Sequence, residues 1–148
     1  MFENAFVCAS SILDSLGVNM DFNKSAIISD IEETADLIAK SIRQIPNMKE
    51  MEDIKQLSIM QILQCISFPA YYAENPKLLA SISLKMVELT LKHGISKYSC
   101  IGFSVFAIVL CRIGDNLSYK FGELSVDLSK KINSKELIPV VNLAFYAI

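Results

Sequence analysis

The chain has 148 residues, 52% of them hydrophobic and 20% charged, and a formal net charge of −2. That length suits one domain with a real core. The slightly acidic balance leaves no basic stripe to neutralise phosphates, which excludes a nucleic-acid binder.

The longest nearly uncharged run, Tyr98 to Cys111, has 14 residues. A membrane-spanning helix needs about 20, so this run reads as a buried helix and no membrane insertion is expected. Soluble domains are about 45–50% apolar. This chain exceeds that, so it packs helices on several sides or has a neighbour to cover it. The opening MFENAFVCASS carries an acid where a signal peptide has basic residues, so none is evident. Cys8, Cys65, Cys100 and Cys111 form no CxxC pair. They read as buried free thiols in a reducing, cytoplasmic setting.

Taken in order, residues 2–16 place Phe2, Phe6, Ala9, Ile12, Leu13 and Leu16 on one helical stripe, and Gly17 stops it. Residues 24–45 repeat Ile27, Ile28, Ile31, Ala35, Ile38 and Ile42 at three and four, with acids early and bases late. Pro46 is expected to end this helix. A third helix over 52–67 is apolar on more than half its girth. Phe68-Pro69-Ala70-Tyr71-Tyr72 should break it, with the aromatics wedged between neighbouring helices.

Asn75-Pro76 is a helix start, with Asn at the N-cap and Pro at the first helical position. That helix runs to His93, with Lys92 and His93 in its last turn and Gly94 as its stop. Ser96 caps a helix over 97–113 that is small and apolar on all sides, hence buried on all sides. Gly102 would let another helix approach closely. Ile113-Gly114-Asp115-Asn116 is a turn. A helix over 116–131 carries Leu117, Phe121, Leu124, Ser125 and Leu128, with small surfaces at Ser118, Gly122 and Ser125. Ser134 caps a last segment, Lys135 to Ile148, with Pro139 near its first turn.

The fold class is therefore all-α, with about seven helices in antiparallel hairpins. Helix starts near 97, 116 and 134 imply a two-helix unit of about 37 residues. That lies between the TPR period of 34 and the HEAT range of about 40–47. The strict TPR pattern is absent, as there is no Trp. A TPR-like α–α superhelix is the preferred reading and a closed bundle the alternative. The chain is read as a single helical-repeat module over 1–148. It stops at NLAFYAI without a cap, polar tail or glycine. This suggests a piece of a much longer protein whose last helix packs on a following repeat, and which self-associates through that helix when isolated.

No P-loop, GxGxxG, HExxH, HRD or DFG motif occurs. His93 is the only histidine and reads as a cation at a helix C-terminus. Its surroundings, LKHGIS, lack the His-Glu pair of a phosphoacceptor. One His with scattered Cys makes no zinc set. The pairs Glu32-Glu33 and Glu52-Asp53 read as solvated helix faces, and Ser10-Ser11 has no partners for a nucleophile. No catalytic, cofactor-binding or metal-ligating residue is assigned, and no cofactor is implied.

Several stretches together carry a resemblance: LGV at 16–18, IEETADLI at 31–38, the long run 59–115, and YKFGELSVDL at 119–128. Within them stand Pro69-Ala70-Tyr71, Asn75-Pro76, Leu84-Lys85-Met86-Val87, Lys92-His93-Gly94 and Tyr119-Lys120-Phe121-Gly122 after Gly114-Asp115. This resembles the TPR-like helical region of large multidomain sensor kinases. In these a serine/threonine kinase domain and an AAA-type, STAND-like ATPase precede that region, and GAF and histidine kinase domains follow. The resemblance implies a non-catalytic, cytoplasmic regulatory segment of a two-component signalling protein. Its partners would be neighbouring domains of the same chain or another protein.

Exposed aromatics are the candidate contact residues: Tyr71, Tyr72, Tyr98 and Tyr119. The alternative function is a helical small-molecule sensor with an apolar pocket lined by Phe103, Phe106 and Phe121. A closed cavity of roughly 300 Å³ or more would mark it.

Overall fold

A computed structural model of the chain describes residues 2–18, 28–72 and 76–132. Six α-helices occur in these residues: α1 (Phe2–Ser15), α2 (Ile28–Ala39), α3 (Ile54–Tyr72), α4 (Pro76–His93), α5 (Lys97–Arg112) and α6 (Ser118–Ile132). A 3-10 helix, Ile42–Asn47, lies between α2 and α3. The expected segment 135–148, its cap Ser134, and the cap Asn75 lie outside the described residues. Among those residues the fold is all-α, with one isolated parallel bridge between Glu50 and Ile95.

The helix stops follow from glycine. Gly17 (φ 82°) and Gly114 (φ 77°) adopt left-handed backbone that a side chain disfavours. After each, two bonds fold back on the helix. The N–H of Val18 donates to Leu13 C=O (2.9 Å) and that of Gly17 to Asp14 C=O (3.1 Å). Asp115 and Gly114 repeat this on Leu110 and Cys111. Both ends are Schellman motifs, which satisfy the last orphan carbonyls. Asp53 starts α3, its Oδ1 accepting the N–H of Lys55 at 2.9 Å.

Packing follows the apolar pattern. α5, apolar all round, is buried along nearly its whole length and packs against α3, α4 and α6. α1 packs on α3, and α3 on α5, so odd-numbered helices touch their next odd neighbours. Gly102 sits where a Cβ would lie 3.0 Å from Met86 Cβ, so α4 and α5 approach as closely as expected. Phe103, Phe106 and Phe121 form the centre of the core. Phe121 is stacked on Phe103 (6.1 Å) and edge-on to Phe106 (5.2 Å). Each such side chain contributes about 1.5–3 kcal/mol by leaving water.

Three sequence expectations need correction. The helix expected over 24–45 ends at Ala39 as described from Ile28, and Pro46 lies inside the 3-10 helix instead of closing an α-helix. With three residues per turn, that helix and its C-cap Met48 place Ile42, Ile45 and Met48 against the core. The third helix does not break at 68. It runs through Pro69 to Tyr72, held by packing against α1, α4 and α5 that offsets the proline's cost of about 3 kcal/mol. The two-helix unit is also longer than 37 residues. α3 and α5 begin 43 residues apart (Ile54, Lys97), and α4 and α6 begin 42 apart (Pro76, Ser118).

Candidate interaction surface

The four candidate tyrosines divide between the two ends of α5. Tyr71 and Tyr72 end α3, exposed at 39% and 70%. They meet edge-on at 5.5 Å and do not wedge between helices as expected. The Arg112 guanidinium, at the last residue of α5, lies 5.4 Å from the Tyr71 ring. Such a contact holds both side chains in place at little cost. Tyr119, in the first turn of α6, is exposed near this same end of the helix stack. Tyr98 is about 21 Å away, at the other end of α5, given 1.5 Å of rise per residue. It is half-buried, with the Lys97 ammonium 5.3 Å from its ring.

Tyr98 forms part of an open groove of about 520 Å³. The N-terminal turns of α3 supply Ile54, Leu57, Ser58 and Gln61, and the α4–α5 turn supplies Ile95 to Tyr98. Glu50, Met51 and Ile132 complete the walls. Ile54 is 80% exposed, an unusual position for an isoleucine. Sequence reasoning missed this groove. The one available signal was an isoleucine directly after an N-cap aspartate, where the stripe has not yet begun. A smaller apolar recess of about 240 Å³ lies between the start of α2, the start of α4 and the end of α5.

Beneath the groove the α4–α5 turn is held by a directed chain of hydrogen bonds. Ser96 N–H donates to Ser99 Oγ (3.0 Å), Ser99 Oγ pairs with Thr90 Oγ1 (2.8 Å), and Thr90 Oγ1 donates to Met86 C=O (2.9 Å). Ser96 thus stands at the expected N-cap, but its backbone makes the bond. Its own Oγ is buried with no hydrogen-bond partner.

The expected pocket residues Phe103, Phe106 and Phe121 stand in the hydrophobic core. All three are fully buried against one another, and neither recess is lined by any of them. Apolar residues on every side of α5 are drawn together by burial. The cysteines also depart from expectation. All four are free thiols, but only Cys100 is buried, whereas Cys8, Cys65 and Cys111 are exposed. Burial pushes the Cys100 thiol up to about 12. His93 is half-buried in the last turn of α4, and Glu32, Glu33, Glu52 and Asp53 are all exposed. Among the described residues no three His, Cys, Asp or Glu side chains are grouped to hold a metal ion. No helix there is long and apolar enough to cross a membrane.

These features define an all-α domain of packed helix pairs whose distinctive surface is an open groove and an exposed tyrosine end. An alignment of 74 positions that covers 47% of the chain is 32% identical to the hybrid signal transduction histidine kinase G of Dictyostelium discoideum. The match covers 2% of that protein's length. No family model matches the chain, and no solved structure matches it.

Proposed function

We propose that the chain is a non-catalytic regulatory segment of a multidomain, cytoplasmic sensor histidine kinase. It would contact neighbouring domains or a partner protein and pass conformational change between them. The observation that carries this reading is the partial identity with a signal transduction histidine kinase. The contacts of α1 with α3 and of α3 with α5 support a TPR-like stack of hairpins. A unit of 42–43 residues makes its hairpins longer than the 34-residue TPR. Such stacks present long surfaces for partners, and here the groove and Tyr71, Tyr72 and Tyr119 are the contact candidates.

The test is an epitope tag introduced within this segment at its native locus, followed by immunoblotting and mass spectrometry of the tagged product. A product many times longer than 148 residues, with histidine kinase peptides in the same polypeptide, supports the proposal. A tagged product no longer than this chain, with no kinase peptides attached, sinks it.

A further inference from the structure

Residues 42–51 leave the helix pairs and run across one end of them. Four observations define what they do. The 3-10 helix packs on α6, with Ile45 buried. The Lys131 ammonium, in the last turn of α6, donates to Pro46 C=O and lies 3.3 Å from Asn47 Oδ1. Further along, Ile95 N–H donates to Lys49 C=O (2.9 Å) and Met51 N–H to Ile95 C=O (2.7 Å). Finally, Gly94 lies so close that a Cβ there would sit 2.4 Å from Lys49 O.

One ten-residue segment is therefore pinned at two places, the last turn of α6 and the α4–α5 turn. The partners are 84 and 85 residues apart at the first pin. Both pins border the 520 Å³ groove, through Ile132 on one side and Glu50, Met51 and Ile95 on the other.

We propose that residues 42–51 act as a releasable strap that couples the C-terminal turn of α6 to the α4–α5 turn. The strap is weaker than what it ties. It buries Ile45 and Met51, whereas α5 alone buries many more side chains. Its link to α6 includes an exposed lysine, and its link to the α4–α5 turn is a single isolated bridge. Short 3-10 turns with few buried contacts open locally well before the core does. Release at one pin removes the constraint on the other, and the dependence is reciprocal. The strap thus gives the α2–α3 connector control over the order of α6's last turn and over the width of the groove. The inference rests on these contacts and not on the histidine kinase reading.

Hydrogen exchange of the full chain, followed by mass spectrometry, tests it. Lys131→Met keeps the stem and removes the donor. Exchange in 42–51 should rise about fivefold, as for loss of a modest charge-assisted bond, while 99–110 stays unchanged. Lys130→Met, beside it but making no such contact, should leave the strap as it was. From the other side, Gly94→Ala should push the strap away and speed exchange in 129–132. Should Gly94→Ala fail to fold, Ile45→Ala provides the same reading. The proposal falls if Lys131→Met leaves 42–51 unchanged, or if Lys130→Met has the same effect. It also falls if freeing the strap at Gly94 or Ile45 leaves 129–132 unchanged.

Discussion

α5 and α2 are both rich in isoleucine, valine, alanine or phenylalanine, yet they occupy opposite depths. α5 has apolar or small residues at nearly every position and is enclosed by α3, α4 and α6. α2 buries only Ile31, Ala35 and Ile38 and exposes Ile28 and Leu37 along with Asp30, Glu32, Glu33 and Asp36. The distribution of apolar residues around the helix decides depth more than their number does. A helix apolar on all faces finds free energy in every neighbour, whereas a striped helix gains from one contact only. The first makes a centre and the second a cover.

The largest test of this contrast is Phe106→Ala. Phe106 is fully buried and edge-on to Phe121. The change should cost about 3–5 kcal/mol, and urea denaturation should show the whole domain losing stability together. On the cover helix, Ile31→Ala should cost about 2–3 kcal/mol. Its effect should be local: trypsin should cut after the exposed Lys40 more readily, while the α5 amides keep their protection. Leu37, on the same helix, is 65% exposed. Leu37→Ala should therefore change stability by less than about 0.5 kcal/mol. If Ile31→Ala unfolds α5 together with α2, the division into centre and cover is wrong.

Much of the contrast was legible in the sequence because it is written in local patterns. Gly17, Gly94 and Gly114 all stand at left-handed helix stops, as their positions after apolar stripes implied. The stripe Ile31, Ala35, Ile38 is buried as spaced. What failed depended on period or on partners distant in sequence. Ile42, Ile45 and Met48 repeat at three, a 3-10 signature that a search for α-helical spacing absorbs into the helix before it. Pro69 reads locally as a breaker, and tertiary packing of α3 on α1, α4 and α5 keeps the helix going. The strap joins residues 84 apart and the groove draws on residues from Glu50 to Ile132, so no single window contains them. The tyrosines were candidates by residue type, but their division between the two ends of α5 is a property of helix packing.

A pH dependence separates the centre from its surface through one residue type. Cys100 lies in the centre, its thiol pushed by burial to about 12 from an ordinary 9.0. Cys8, Cys65 and Cys111 lie outside it. A thiol reagent at neutral pH should modify three groups in the folded protein and the fourth only on unfolding. The raised value also fixes a sign. Below pH 9 the thiol is protonated in both states, so its contribution to stability is fully present. Between about pH 9 and 12 the unfolded chain releases this proton and the folded chain retains it. Stability must then fall as pH rises, by about 1.4 kcal/mol per unit at most. Cys100→Ser replaces the thiol with a hydroxyl that does not titrate in this range, and should flatten that part of the curve. Measuring urea midpoints of both proteins from pH 8 to 10.5 isolates the effect, since every other side chain is common to both. Equal slopes for the two proteins would mean that Cys100 reaches water, and that the centre beside α4 is looser than its packing implies.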